Sequence, residues 1–99
     1  MSPLALPDVD VDRELADKVD DLFGDEHAVI IMDSDFTTFD EVERACIALF
    51  GYSRPAAESL SMRVHTTGEA LAAVLAEPEA RTAVRQLRRR NVLARMEKL

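Results

Sequence analysis

Ala28-Val29-Ile30-Ile31-Met32-Asp33-Ser34-Asp35-Phe36-Thr37-Thr38-Phe39-Asp40-Glu41-Val42 is the stretch from which the rest of the chain can be laid out. Val29 to Met32 is an unbroken apolar run, too short for a helix and rich in β-branched residues, so it predicts a strand covered on at least one face. Two carboxylates, Asp33 and Asp35, follow directly. Thr38 then begins a Thr-x-x-Glu capping box with Glu41, and Val42, Ala45, Cys46, Leu49 and Phe50 share one helical face behind it. A helix therefore starts just past the two acids. Taken alone, the turn is open to two readings: a solvated loop ending in a helix cap, or a site where carboxylates meet a helix start. A lone Asp-x-Asp does not decide between them.

Working outward, Gly51 stops the first helix, Ser53 is placed to cap a second, and Pro55 sits near that helix's first position. The second helix is expected from about Pro55 to His65, with Ala57, Leu60 and Val64 on its apolar face, Met62 to one side and Ser61 interrupting the set. Thr66-Thr67-Gly68 breaks it, and Ala70 to Leu75 reads as a second strand. Glu77-Pro78-Glu79 opens a third helix with acids in its first turn and arginines in its last, as the helix dipole favours. Ala80, Val84 and Leu87 form its apolar stripe, and Val92 to Met96 closes the chain as a third strand. The order β-α-α-β-α-β predicts an α+β domain: a three-stranded, mainly antiparallel sheet covered by three helices on one side.

Composition narrows the function classes. Ninety-nine residues suffice for one small domain, and a 47% hydrophobic content without Trp implies a core of aliphatics and alanines. The single Cys46 has no disulfide partner and lies on an apolar stripe, so a buried, inert thiol is expected. No apolar run reaches the length of a membrane span. The opening Met-Ser-Pro-Leu-Ala-Leu-Pro-Asp lacks a basic flank and a long apolar segment, so a cytoplasmic protein with no membrane contact is expected. The formal charge of −7 is concentrated before His27, where nine acids face only Arg13 and Lys18. Residues 1–26 therefore read as an acidic, mobile extension and residues 27–99 as the core domain. Val11, Leu15, Val19 and Leu22 share a helical face, which leaves a docked helix as the competing reading of residues 10–22. Nucleic-acid binding is not expected of so acidic a chain. Arg85, Arg88, Arg89 and Arg90 form a local basic cluster that reads as a solvated helix face.

Four passages together carry a resemblance: Val29-Ile30-Ile31-Met32-Asp33-Ser34-Asp35-Phe36-Thr37-Thr38-Phe39-Asp40-Glu41-Val42, Leu49-Phe50-Gly51-Tyr52, Met62-Arg63-Val64-His65-Thr66-Thr67-Gly68-Glu69-Ala70 and Leu93-Ala94-Arg95-Met96-Glu97-Lys98. In this order they resemble ClpS, the adaptor of the Clp protease, without a gap from about Ala28 to Leu75 and more loosely to Lys98. The family's Val-His-x-x-Gly-x-Ala landmark is intact at Val64–Ala70. The resemblance implies the same β-α-α-β-α-β fold and a non-enzymatic role: capturing proteins by a bulky hydrophobic N-terminal residue and delivering them to the N-domain of a Clp AAA+ unfoldase. It also implies that the N-terminal extension helps hand substrate to the unfoldase. No cofactor or metal follows from it.

By the family pattern, Asp33 and His65 contact the α-amino group of the substrate and Asp35 helps through charge or water. An α-ammonium offers three N–H donors and a positive charge, so convergent acceptors with an anion among them suit it. The positions matching the family's side-chain pocket are Thr37, Phe39, Val42, Ser61, Met62, Val64 and Val92. Asp33 replaces the family's usual Asn, Phe39 a usual Met, and Ser61 another, which predicts a pocket of altered shape. On the third helix, Pro78-Glu79-Ala80-Arg81-Thr82-Ala83 stands where the family commonly carries Glu-x-Ala-Glu-x-Lys at its unfoldase contact. A stand-alone N-terminal-residue binder without unfoldase docking is the alternative. An enzyme using Asp33, Asp35 and His65 is not expected, because a nucleophile and a Gly-rich phosphate loop are both missing from the pattern.

Overall fold

The computed structural model describes residues 25–99, and the expectations for residues 1–24 lie outside it. The described elements run β1 (Glu26–Met32), α1 (Phe39–Phe50), α2 (Arg54–Thr67), β2 (Glu69–Ala76), α3 (Glu77–Arg89) and β3 (Ala94–Lys98). Their order is the predicted one. The sheet is ordered β2-β1-β3 with both pairings antiparallel, so the apolar run Val29–Met32 lies in the central strand.

One core joins the layers. Val29 and Ile31 of β1 project into it with Val42, Ala45 and Cys46 of α1, Leu60 and Val64 of α2, and Ala80, Val84 and Leu87 of α3. Many small side chains let the helices sit close to the sheet, which suits a chain with few aromatics. Tyr52 pins the α1–α2 connection to the sheet by donating its hydroxyl to the Ala72 carbonyl oxygen at 2.6 Å.

Three local features differ from the sequence expectations. First, β1 begins at Glu26 rather than Val29, because polar Glu26 and His27 still pair along the backbone with Ala76 and Leu75. Second, the register slips between Val29, opposite Ala73, and Ile30, opposite Leu71, leaving an extra alanine in β2. This bulge turns Ala70, Ala72, Ala73 and Leu75 toward the core while Leu71 and Val74 stand exposed on the other face. Third, β3 starts at Ala94 rather than Val92. The Val92 amide donates to the Leu87 carbonyl at 3.0 Å, so Val92 belongs to the turn that closes α3 although its side chain is buried.

The helix ends follow their local chemistry. Thr38 and Glu41 form the reciprocal capping box, and Ser53 accepts from the Ala56 amide. Gly51 and Gly68 end α1 and α2 with φ of 71° and 96°, a backbone conformation that favours glycine. The start of α3 is served from elsewhere: Ala76 has no capping side chain, and the Asp25 carboxylate accepts from the Glu77 amide at 3.2 Å. No helix among the described residues is long and apolar enough to cross a membrane.

Candidate functional site

The turn between β1 and α1 lies beside the end of α2. The Asp33 amide donates to the Gly68 carbonyl at 2.9 Å, and the Gly68 amide donates in turn to the Val64 carbonyl at 2.9 Å. These two bonds fix the acidic turn against the Val64–Gly68 segment and so bring together two motifs more than thirty residues apart in sequence. The Met32 amide, donating to the Leu93 carbonyl at 2.9 Å, ties the other flank of the turn to the segment before β3.

The turn itself is held by side chains. Ser34 and Thr37 share a hydroxyl–hydroxyl hydrogen bond of 2.6 Å, and Thr37 donates to the Asn91 carbonyl at 2.6 Å. Asn91 returns the contact with its amide group, donating to the Phe36 carbonyl at 2.8 Å and to the Glu41 carboxylate at 3.3 Å. It can do this because its backbone adopts a left-handed φ of 69° just past α3, a conformation asparagine tolerates better than most residues. The donors gathered on Glu41, led by the Thr38 amide at 2.8 Å and followed by Asn91, hold its carboxyl below the usual carboxylate range. Asn91 was not among the sequence candidates. The signal that could have found it is an asparagine directly after an arginine-rich helix end.

Against this bonded frame, Asp33, Asp35 and His65 are exposed. Among the described residues, no hydrogen bond or ion pair engages their side chains. His65 instead meets the ring of Phe39 edge-on, with centroids 4.9 Å apart and planes at 71°. That contact places an imidazole and an exposed aromatic ring at one surface. Asp33, by its backbone bond to Gly68, sits beside the same helix end.

The seven apolar-pocket candidates divide by burial. Phe39 is 41% exposed and Met62 51%, while Thr37 is half-buried under its bonds to Ser34 and Asn91. Val42, Val64 and Val92 are buried in the common core, and Ser61 is buried with them. The Ser61 hydroxyl donates to the Phe39 carbonyl at 3.3 Å, so the polar interruption in α2 is satisfied and holds the first residue of α1. Phe39 and Met62 are thus the exposed candidates, and Val42, Ser61, Val64 and Val92 the buried ones. Cys46 is also in the core, and burial pushes its thiol up to about 11, which keeps it unreactive. Among the described residues there is no cluster of three His, Cys, Asp or Glu side chains arranged to hold a metal.

Comparison with known proteins gives matches of two kinds, to a family model and to solved structures. The sequence model of the family described as "ATP-dependent Clp protease adaptor protein ClpS" matches residues 24–95. Among solved structures, the fold is similar to that of Agrobacterium tumefaciens ClpS2 bound to L-phenylalaninamide, with a TM-score of 0.73 at 18% sequence identity, covering 77% of this chain and 99% of that one. No curated protein sequence matches the chain.

Proposed function

The chain belongs to the ClpS family of Clp protease adaptors, and from that premise we propose that it binds proteins through a free N-terminal residue with a bulky hydrophobic side chain and presents them to a Clp AAA+ unfoldase. The observation that carries this reading is the contrast at the β1–α1 turn. Ser34, Thr37, Thr38, Glu41 and Asn91 satisfy one another, whereas Asp33, Asp35 and His65 are exposed and their side chains make no hydrogen bond or ion pair among the described residues. In this reading the Asp33 carboxylate and the His65 imidazole accept N–H bonds from the substrate's α-ammonium, and Asp35 adds negative charge. Charge-assisted bonds of this kind contribute about 1.5–3 kcal/mol each.

The side chain of the same N-terminal residue enters between Phe39 and Met62, over Val42, Ser61, Val64 and Val92, with Thr37 at the turn side. Burying a Leu or Phe side chain there contributes roughly 1.5–3 kcal/mol, comparable with the charged contacts, so neither half alone gives selectivity. L-phenylalaninamide, the molecule bound by the structurally similar Agrobacterium protein, has both parts: a free amine and an aromatic side chain. Its chemistry supports the same pairing of contacts here.

Fluorescence anisotropy with a panel of peptides differing only in the first residue tests the proposal. Phe- and Leu-initiated peptides are expected to bind and Gly- or Glu-initiated ones not to; equal binding across the panel would overturn it. A pull-down with the isolated N-domain of a Clp unfoldase tests delivery separately. Capture supports the full adaptor role. Peptide binding without capture would favour the stand-alone binder, the outcome that Arg81 and Ala83 on α3 make worth distinguishing.

A further inference from the structure

The basic cluster at the end of α3 changes its membership in the fold. A groove of about 740 Å³ between α3 and β3 is lined by Arg81, Arg85, Arg88, Arg89 and Arg95, while Arg90 lies outside it, beside Leu49 and Gln86. The uncharged lining residues are Val84, which is buried, and Met96, which is half-buried. Among the described residues, no carboxylate lines the groove. Arg81, Arg85, Arg88 and Arg89 share one face of α3 by their spacing, and Arg95 reaches the same space from the neighbouring strand. Cations from two elements thus converge on a concavity, which a merely solvated helix face does not need. The groove shares no residue with the β1–α1 turn.

Crowding five like charges is unfavourable unless something balances them. Two are balanced within the chain: Arg81 pairs with Glu77, and Arg95 with Glu69 and Glu97. Arg88 is held differently. Its Nε and Nη2 donate to the Ala94 carbonyl at 3.2 and 2.9 Å, a neutral acceptor that fixes the guanidinium without compensating its charge. Three of its five N–H donors make no bond among the described residues. Arg85 and Arg89 are exposed, and like Arg88 they have no carboxylate within ion-pair distance among the described residues. Three uncompensated guanidiniums therefore stand at i, i+3 and i+4 on one helix, where neighbouring side chains start about 5–6 Å apart.

We propose that the α3–β3 groove binds a compact oligophosphate, a molecule carrying two or more linked phosphoryl groups. All five lining cations are arginines, whose planar forks match phosphate oxygens in pairs. Linked phosphoryl groups deliver several negative charges within the width of one groove, whereas an acidic peptide spreads single charges over separate flexible side chains. A nucleic-acid duplex would bring its dense charge against a chain of net charge −7. The phosphates can belong to an inorganic chain or to a nucleotide; for the second, half-buried Met96 is the apolar surface that a nucleoside could meet.

The test is isothermal titration of the full chain with sodium tripolyphosphate in low-salt buffer, with ATP and orthophosphate as parallel arms. Tripolyphosphate is expected to bind, and orthophosphate at least about tenfold more weakly, since one phosphoryl group engages fewer guanidiniums. ATP binding at comparable or higher affinity identifies a nucleotide source; markedly weaker ATP binding identifies the inorganic chain. The double variant Arg85→Gln/Arg89→Gln should lose at least about tenfold in affinity for tripolyphosphate, as expected when charge-assisted contacts are removed. Arg54→Gln/Arg63→Gln, which removes the same charge from exposed positions of α2, should not. Thermal melts check that both variants keep the fold. In the unmutated, isotope-labelled chain, the side-chain Nε–H signals of Arg85, Arg88 and Arg89 should shift on addition of tripolyphosphate while those of Arg54 and Arg63 stay. Absence of binding, equal affinity for orthophosphate, equal losses in the two variants, shifts spread over all arginines, or tighter binding of an octaglutamate peptide would each overturn the proposal.

Discussion

Val42, Ser61, Val64 and Val92 lie in the core that holds sheet and helices together, whereas Asp33, Asp35 and His65, close by in the fold, are exposed and make no described polar contact. The first group is fixed by what the protein needs in order to fold. The second is held in place by its backbone, through the Asp33–Gly68 bond and the Asn91 latch, and its side chains are spare. Scaffold and proposed recognition groups are therefore separable: changes to the buried group should be felt first as stability, and changes to the acids and imidazole as binding alone.

The sharpest way to break that separation is to remove a recognition group. Asp33→Ala or His65→Ala should weaken a Phe-initiated peptide by about 10- to 100-fold, the equivalent of one charge-assisted bond, with an unchanged melting temperature. Calorimetric titration beside a thermal melt checks both. A comparable loss of stability would show that these side chains belong to the scaffold. On the other side, Val64→Ala in the buried group should cost about 2 kcal/mol of unfolding free energy through lost burial and an incompletely filled cavity, read from urea denaturation.

Smaller effects refine the frame around the turn. Thr38→Ala removes the α1 cap and should cost about 1 kcal/mol. Its partner Glu41 has a lowered pKa, so its stabilising contribution is present above its ordinary value of 4.5 and lost as pH falls through the lowered one. Glu41→Gln should flatten that acid limb of the stability profile, as followed by denaturant titrations at successive pH values; an unaltered limb would mean that the capping box and the Asn91 contact do not hold the turn. The mildest change, Phe39→Met, should leave overall affinity similar but reorder preference among Phe, Leu, Tyr and Trp at the peptide start, since Phe39 is partly exposed and packs against His65.

Much of the scaffold was legible because each element carries its own punctuation. The apolar run at Val29–Met32, the Thr38/Glu41 box, Gly51, Pro55 and Gly68 mark starts and stops that the backbone then obeys. The β2 bulge was not legible: an alanine inserted among alanines leaves the pattern unmarked. The start of β3 was displaced because burial and strand pairing part company at Val92, whose apolar side chain serves the core while its amide serves α3. Asn91 was missed since its value lies in a left-handed backbone and in partners some fifty residues distant in sequence. The proposed site was legible as residue types but not as geometry, because the approach of Asp33 to the end of α2 depends on a backbone bond between distant segments.

The most direct measurement compares one Phe-initiated peptide with its N-acetylated twin by isothermal titration at neutral pH. Acetylation leaves the aromatic side chain intact and removes the positive charge together with two of the three N–H donors. The account predicts that binding to the acetylated peptide falls at least about 100-fold, as expected when two charge-assisted contacts are lost together. Equal affinity for the two peptides would contradict it, showing that Asp33, Asp35 and His65 do not read the start of a chain.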